Sequence, residues 1–211
     1  MYVTMRVLRP TENEHIFKGR LQFLTIWNML LQAVFFTVCI LNDFAGTNEA
    51  FPKTKSKIRK LRDVMLASLA FPISMFVGIT FWGIYIVDRE LVFPKALDAF
   101  FPTWLNHVMH TNIMIFILLQ MYLSYHDYPS RKTCASILFV FLICYLIWLH
   151  IIRSYSGVWV YPILEVLNFP MRLFFFVILL GLSAGLYLVG EKLNKLFWRG
   201  EMQKLSYRKR N

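Results

Sequence analysis

The sequence predicts an all-α polytopic membrane helix bundle, with five spanning helices and one short re-entrant or interfacial segment. Composition is the first reason: 57% of the 211 residues are hydrophobic and only 17% are charged. Soluble proteins contain about 45–50% apolar and about 25% charged residues. Because a soluble domain of this size leaves much of its chain in contact with water, the composition argues against a soluble enzyme, a disordered tail and a secreted disulfide scaffold.

The second reason is that the charged residues are absent from long stretches of the chain. Five windows of 18–24 residues contain no Asp, Glu, Lys or Arg, and each is long enough to cross a hydrocarbon core of about 30 Å as a helix. The windows are 22–41, 64–87, 105–124, 134–152 and 173–190. Each window predicts one spanning helix.

A sixth apolar stretch covers residues 158–169 and contains Glu165. It is too short to span a membrane, so it is expected to be re-entrant or to lie at the membrane interface. The spans therefore divide the chain into a polar N-terminal segment at 1–21, a transmembrane bundle at 22–190 and a basic tail at 191–211.

The basic residues are distributed unequally between the two sides of the predicted membrane. Of the 23 Lys and Arg residues, 15 lie on the side of the tail and 8 on the side of the N-terminal segment. By the positive-inside rule the tail is cytoplasmic. The net charge of +11 is thus interpreted as a signal of topology and of contact with membrane lipids, not as nucleic-acid binding, and either the endoplasmic reticulum or the plasma membrane fits this orientation.

Two polar residues inside the windows are candidates for catalysis, because polar groups at membrane depth are costly unless they face the bundle interior. Thr25 lies three residues into the first window and His110 five residues into the third, both counted from the N-terminal side. At about 1.5 Å per residue both lie roughly 5–8 Å below the same surface. A hydroxyl and an imidazole at matched depth suit a nucleophile and its general base, while a structural hydrogen bond is the plain alternative for each.

Three supporting candidates lie on the same predicted helices. Asn28 and Asn106 are each within one helical turn of a catalytic candidate, and both are considered as oxyanion donors. His107 precedes His110 by three positions.

Glu165 is the fourth supporting candidate, because a carboxylate in an apolar segment needs a polar partner. Two kinds of partner are considered for Glu165. The carboxylate orients His110, or it forms an ion pair with Arg89 or Arg153. The ion pair is the preferred interpretation.

A metal site is an alternative chemistry for the same histidines. His107, His110, His150 and a carboxylate would supply enough ligands for zinc, but a pair of histidines three apart is a weak signal.

The cysteines Cys39, Cys134 and Cys144 show no metal-binding spacing and are expected to be packing residues.

Several strings of the sequence carry a resemblance to a known family, in order and with similar spacing from about residue 20 to 195. They are Phe23-Leu24-Thr25, Asp88-Arg89-Glu90, Trp104-Leu105-Asn106-His107-Val108-Met109-His110-Thr111, Tyr128-Pro129-Ser130-Arg131 and Trp159-Val160-Tyr161-Pro162 with Glu165. The chain resembles the androgen-induced protein family, which includes the androgen-dependent TFPI-regulating protein.

The resemblance implies an integral-membrane lipid esterase that hydrolyses fatty acid esters of hydroxy fatty acids and uses no cofactor or metal. It implies that the threonine nucleophile is Thr25 and that the catalytic histidine is His110. The family pattern has six spans, and because residues 1–20 are polar here we expect one leading helix fewer.

Two alternatives to the esterase remain open: a non-catalytic membrane scaffold or receptor of the same fold, and a histidine–metal-dependent lipid hydrolase. The expected partners are the lipid ester substrate and membrane lipids, and the sequence does not identify a protein partner.

Overall fold

The structure, a computed structural model, describes residues 19–47, 49–50, 52, 54–99 and 101–208, with side chains described to residue 203. Most of the predicted N-terminal segment, 1–21, therefore lies outside the described residues. The described residues form helices and turns and no β-strand, which confirms the predicted all-α bundle.

Nine α-helices follow one another along the described chain. In order they are α1 Leu24–Ala45, α2 Lys57–Met65, α3 Phe71–Asp88, α4 Thr103–His107, α5 Ile113–Leu123, α6 Arg131–Ser156, α7 Pro162–Val166, α8 Phe169–Phe197 and α9 Arg199–Arg208. Two π-helical turns join neighbouring helices without a break: Leu66–Ala70 joins α2 to α3, and Val108–Asn112 joins α4 to α5.

Four helical runs are long and apolar enough to cross a membrane. They are Leu24–Ala45, Lys57–Leu91, Arg131–Ser156 and Phe169–Phe197. The remaining window, 105–124, falls on the run that extends from α4 through α5. That run is about 31 Å long at 1.5 Å per residue, but its asparagine, histidine, threonine and glutamine side chains lower its hydropathy.

The first long helix, α1, directs most of its polar side chains inward and leaves large apolar side chains exposed, as expected in lipid. On α1 the buried face includes Asn28, Gln32 and Asn42, while Val34 and Phe44 are exposed. Gln32 Nε2 donates to Asn28 Oδ1 at 3.2 Å. The interior of the bundle therefore contains hydrogen-bonded polar groups between its apolar clusters.

A buried charged cluster lies at the end of the bundle where α1 ends and α2 begins. Asp63 Oδ1 is 2.8 Å from Arg62 Nη2 and 3.1 Å from His126 Nδ1. Arg59 is 1% exposed and lies 3.8 Å from Asp63 through its Nε.

The Arg59 guanidinium also donates to the carbonyls of Thr47, Glu49 and Ala50. These contacts hold the connection between α1 and α2 against the helix that follows.

Further contacts join the connections at this same end. Lys55 Nζ is 2.6 Å from Asp127 Oδ2, and Arg131 Nε is 2.9 Å from Glu191 Oε2. Asn194 Nδ2 on α8 donates to a backbone carbonyl of the α5–α6 connection. The predicted tail-side segments thus meet at one end of the bundle.

The apolar stretch 158–169 does not form a spanning helix. Gly157 ends α6 with a φ of +72°, the left-handed region that glycine adopts without strain. The chain then turns back, and the five-residue helix α7 follows. Trp159 and Leu164 are buried, so this segment packs into the bundle rather than leaving it.

The three cysteines differ in their surroundings. Cys39 and Cys134 are buried, as expected of packing residues, whereas Cys144 is exposed on α6. The expectation that all three pack inside the bundle is therefore wrong for Cys144.

Candidate active site

The two catalytic candidates are in hydrogen-bond contact. Thr25 Oγ1, on the first turn of α1, lies 3.2 Å from His110 Nε2. His110 Nδ1 lies 3.0 Å from the carbonyl oxygen of Asn106. Because a carbonyl oxygen only accepts hydrogen bonds, Nδ1 carries the proton of neutral His110 and Nε2 presents a lone pair. The Thr25 hydroxyl therefore donates to His110.

The His110 ring is fixed on its other sides as well. It stacks on Phe81 of α3, with ring centroids 3.6 Å apart and planes 10° from parallel, and it is only 6% exposed. His110 also lies in the π-helical turn Val108–Asn112. Such single π-helical turns occur frequently at functional sites.

Gly78 allows α3 to approach this π-helical turn closely. A Cβ built on Gly78 would lie 2.5 Å from the His110 carbonyl oxygen and would also overlap Met114 Sδ. Only glycine leaves room for this approach. The stacking of Phe81, one turn further along α3, depends on the same spacing between the helices.

Two tyrosines cap the start of α1 in place of a polar N-cap residue. Phe23 provides no side-chain cap, and the Leu24 amide donates to Tyr145 Oη at 2.9 Å and to Tyr161 Oη at 3.0 Å. The two hydroxyl oxygens are 2.8 Å apart, and Tyr145 Oη donates to the Gln22 carbonyl at 3.0 Å. These contacts fix the first turn of α1, from which Thr25 projects.

Sequence reasoning assigned no role to these tyrosines. Tyr145 lies in the window 134–152 and Tyr161 in a string that carried the family resemblance. The available signal was that a tyrosine hydroxyl buried at membrane depth needs a partner, but the sequence alone did not identify a backbone amide as that partner.

A cavity of about 130 Å³ opens beside Thr25. Its walls come from α1, α3, α6, α8 and the segment before α8. The only polar side chains among its lining residues are Thr25, Thr80, Tyr145 and Tyr161. The apolar lining includes Phe76, Phe81, Leu142, Leu164, Phe176 and Leu180. The Thr25 hydroxyl thus borders an apolar space shaped by several helices.

The two asparagines proposed as oxyanion donors have other surroundings. Asn28 Oδ1 accepts from Gln32 and from Ser74 Oγ, the latter at 3.4 Å. Asn106 contributes its backbone carbonyl to His110, and neither asparagine is among the residues that line the cavity. Asn106 is therefore a positioning residue, and Asn28 belongs to the polar interior of the bundle.

His107 lies away from Thr25. Its side chain is exposed, its Nδ1 is 3.1 Å from Thr111 Oγ1, and its ring stacks on Trp82 with centroids 5.2 Å apart. The side chain of His107 is not among those that contact Thr25 or line the cavity, although it is three positions from His110.

Glu165 contacts one of its three predicted partners. Its Oε2 is 3.5 Å from Arg153 Nη1 and accepts from the Trp159 amide at 3.4 Å. Arg89 instead bonds Asp98 at 2.6 Å. Glu165 therefore forms the structural ion pair and does not orient His110.

The histidines proposed as metal ligands are separated. His150 Nδ1 lies 2.8 Å from the Leu146 carbonyl and its ring contacts Trp159, whereas both ring nitrogens of His110 are already hydrogen-bonded. Within the part of the chain that the structure describes, no three His, Cys, Asp or Glu side chains are close enough to share a metal ion. The metal alternative built on His107, His110 and His150 has no geometric support.

The fold and the site together define an integral membrane protein, a polytopic helical bundle in which a threonine that is hydrogen-bonded to a histidine borders an apolar cavity. A family model described as FAR-17a/AIG1-like protein matches residues 1–195, and the chain belongs to this family.

Relatives of known name support the same assignment. The chain is 42% identical over 186 residues to the Androgen-induced gene 1 protein of Homo sapiens, an alignment that covers 85% of this chain and 78% of the relative. It is 39% identical over 195 residues to the Androgen-dependent TFPI-regulating protein of Mesocricetus auratus, covering 91% and 83%. A membrane protein of Schizosaccharomyces pombe is 23% identical over 171 residues, covering 80% and 72%. No solved structure gives a significant match.

Proposed function

We propose that this chain is an integral-membrane lipid esterase that hydrolyses fatty acid esters of hydroxy fatty acids, with Thr25 as nucleophile and His110 as general base. The observation that carries the proposal is the contact of 3.2 Å between Thr25 Oγ1 and His110 Nε2, with Thr25 on the wall of an apolar cavity. The choice of ester follows from the family resemblance, and the apolar lining supports it because long acyl chains match such a surface.

The first half of the reaction acylates Thr25. The Thr25 oxygen attacks the ester carbonyl carbon while its proton moves to His110 Nε2, and the carbonyl electron pair moves onto oxygen to form a tetrahedral intermediate. When the intermediate collapses, the bond to the alcohol oxygen breaks and His110 returns the proton to that oxygen. The hydroxy fatty acid leaves and the acyl group remains on Thr25.

The second half releases the fatty acid. A water molecule gives a proton to His110 Nε2 and attacks the acyl carbon, and collapse of this second intermediate breaks the bond to Thr25. The proton returns from His110 to the Thr25 oxygen, so both residues end in their starting states. The Asn106 carbonyl keeps the second ring nitrogen protonated throughout and stabilises the imidazolium that forms after each proton transfer.

The surroundings compensate for the weak nucleophilicity of a threonine hydroxyl. Thr25 is held at the start of α1 by the two tyrosines, and His110 is held by Asn106 and Phe81. Because neither side chain needs to be ordered before reaction, the hydroxyl and its base are already in position when the ester arrives.

The orientation of the protein forms part of this proposal. The tail-side end, which contains Arg59, Arg62 and most of the basic residues, faces the cytoplasm. Thr25 and His110 then lie toward the opposite surface of the membrane.

The first experiment compares the purified wild-type chain with two variants on a defined fatty acid ester of a hydroxy fatty acid. We expect Thr25→Ala and His110→Ala to lose hydrolysis by at least about 1,000-fold, because each removes one of two groups that act as a unit. A fluorophosphonate probe is expected to label wild-type Thr25 and to leave Thr25→Ala unlabelled.

His107→Ala is the matched control, since it removes an exposed imidazole from the same helical run. It is expected to retain the wild-type rate. Full activity in Thr25→Ala or His110→Ala would contradict the proposed pair, and an inactive but well-folded wild-type chain would favour the non-catalytic scaffold.

A further inference from the structure

The mechanism above produces an oxyanion twice, inside a cavity whose lining is almost entirely apolar. A negative charge that develops there is costly unless donors are already aimed at it. The cavity-lining hydroxyls other than the nucleophile belong to Thr80, Tyr145 and Tyr161. The Thr80 hydroxyl has no hydrogen-bond partner within the described residues, and none joins it to α1, whereas both tyrosines bond the Leu24 amide next to Thr25. The comparison is therefore between the two tyrosines, and it depends on which of them has a proton to give.

The hydroxyl protons of Tyr145 and Tyr161 go to different acceptors, and this difference separates the roles of the two residues. Tyr145 Oη donates its single proton to the Gln22 carbonyl at 3.0 Å, and its oxygen accepts the Leu24 amide at 2.9 Å. Tyr145 is therefore fully occupied by the backbone at the start of α1. Its removal would leave a backbone carbonyl and an amide with fewer partners.

Tyr161 is placed differently in the same group. Its oxygen accepts the Leu24 amide at 3.0 Å and lies 2.8 Å from Tyr145 Oη, but no backbone carbonyl is assigned to receive its proton. Because Tyr145 gives its own proton to the Gln22 carbonyl, the contact of 2.8 Å is the Tyr161 hydroxyl donating to Tyr145 Oη. A neutral hydroxyl oxygen is a weaker acceptor than an oxyanion, so the Tyr161 proton is available to the stronger acceptor. With an ordinary pKa near 10, a tyrosine hydroxyl keeps this proton at neutral pH.

Tyr161 lies next to Thr25 on the wall of the same cavity. The Leu24 amide that it accepts immediately precedes Thr25, and both Thr25 and Tyr161 line the cavity. The Thr25 amide, on the first turn of α1, points the same way along the helix axis and adds the positive end of the helix dipole. A hydroxyl and a backbone amide together form a two-donor oxyanion site.

We infer that the Tyr161 hydroxyl is an oxyanion donor for ester hydrolysis at Thr25, while Tyr145 positions the start of α1. The inference rests on the proposed esterase function and extends it to a third catalytic residue. During attack, the Tyr161 proton turns from Tyr145 Oη toward the former carbonyl oxygen of the substrate. It remains on Tyr161, so no proton is transferred in this step.

The test begins with Tyr161→Phe, which removes only the hydroxyl. Loss of one oxyanion donor typically lowers kcat by about 100- to 1,000-fold, so we expect a decrease of that order with KM nearly unchanged. Tyr128→Phe is the matched control, because the Tyr128 hydroxyl is buried without a hydrogen-bond partner in the described structure and lies outside the cavity lining. It is expected to keep the wild-type kcat.

A second measurement separates catalysis from structure. A trifluoromethyl ketone analogue of the ester reacts with the Thr25 hydroxyl to give an anionic tetrahedral adduct, whereas an ether analogue binds without forming a charge. Tyr161→Phe should weaken binding of the ketone in proportion to its loss of kcat/KM and should leave binding of the ether unchanged. Tyr145→Phe should instead lower the melting temperature more than Tyr161→Phe does.

The outcomes also distinguish this inference from the function on which it rests. If the wild-type chain hydrolyses the ester, Thr25→Ala does not, and Tyr161→Phe keeps the wild-type kcat and ketone affinity, Tyr161 is not an oxyanion donor although the esterase stands. If Tyr161→Phe weakens the ketone and the ether equally, its role is structural. If wild type itself has no activity and Thr25 takes no label, both proposals fail together.

Discussion

At the scale of single residues, the proposed chemistry depends on which nitrogen of His110 carries the proton. The contact from Nδ1 to the Asn106 carbonyl, 3.0 Å long, settles the tautomer and leaves Nε2 free to accept from Thr25. Asn106 was selected from the sequence for its side chain, but its contribution is a backbone carbonyl. A carbonyl is present at every position, so the residue type carried no information about this role.

Counting residues from the predicted membrane surface was enough to predict that Thr25 and His110 lie at the same depth. Two helices that enter the membrane from the same surface place residues at equal distances from their starts at equal depths. The same reasoning could not find Tyr145 or Phe81. Their contacts depend on how the helices rotate against one another, and aromatic residues occur on every face of these helices.

His126 supports a prediction of pH-dependent stability at the other end of the bundle. Burial lowers the pKa of this imidazole, with the guanidinium groups of Arg62 and Arg59 adding to the effect and Asp63 opposing it. A histidine that stays neutral in the folded state but gains a proton on unfolding stabilises the fold above its unfolded pKa of about 6.5. Stability is therefore expected to fall as the pH drops below about 6.5.

The measurement is the melting temperature in detergent between pH 7.5 and 5.0, for wild type and His126→Asn. The asparagine amide keeps a donor for Asp63 but does not titrate, so its melting temperature should fall less over this range. An identical pH dependence in both proteins would show that His126 does not contribute.

At the scale of elements, the run from α4 to α5 shows a feature that the sequence pattern does not predict. Its window was predicted from the absence of charge, and the structure adds a π-helical turn at Val108–Asn112. The sequence has no proline or glycine there to indicate the turn. The close approach of α3 at Gly78 is a tertiary effect of the kind that a local pattern does not contain.

Gly78→Ala is predicted to damage this element. The new Cβ would meet the His110 carbonyl oxygen at 2.5 Å, and because backbone cannot yield locally, α3 must move away from the π-helical turn. Overpacking of this kind typically costs about 1–3 kcal/mol, and the loss of Phe81 stacking should lower hydrolysis as well. Thermal unfolding and ester hydrolysis measure the two effects.

Gly83→Ala provides the control on the same helix. A Cβ at Gly83 has nothing within 4 Å, so this variant should match wild type in both measurements. Equal behaviour of the two variants would mean that the spacing at Gly78 is not needed.

The short segment around α7 is the element whose role the sequence described least well. Its length excluded a span, and Glu165 was the residue that attracted attention. In the structure the turn after Gly157 brings Tyr161 back to the start of α1, where its hydroxyl contacts the Leu24 amide, and this contact is the basis of its proposed role. Glu165 contacts Arg153 at the surface.

At the scale of the whole molecule, the apolar excess of the sequence corresponds to an outer surface of large hydrophobic side chains around a partly polar interior. This inversion relative to a soluble protein follows from the solvent, since lipid does not penalise exposed leucine or phenylalanine. Composition and charge placement were sufficient to predict the architecture. The cavity arises from the relative placement of five segments and was not predictable in shape.

The proposed orientation predicts opposite accessibility for two exposed lysines. Lys132 lies just after the start of α6 at the tail-side end, and Lys95 lies in the connection between α3 and α4 at the other end. In sealed microsomes with the cytoplasmic face outward, a membrane-impermeant maleimide should label Lys132→Cys. Lys95→Cys should react only after detergent is added.

These variants are best made with Cys144→Ser, which removes the exposed native thiol. The reverse labelling pattern would place the basic end in the lumen and contradict the orientation.

Thr25 lies on the first turn of α1, at the end of the bundle opposite Asp63 and His126, and this separation has a consequence for the products. In the proposed orientation both carboxylic acids are released into the leaflet that faces away from the cytoplasm. A carboxylate does not cross hydrocarbon readily, whereas the neutral acid does. Return of the fatty acids to cytoplasmic metabolism would then require protonation and flip-flop, and mild acidity in the outer compartment would accelerate it.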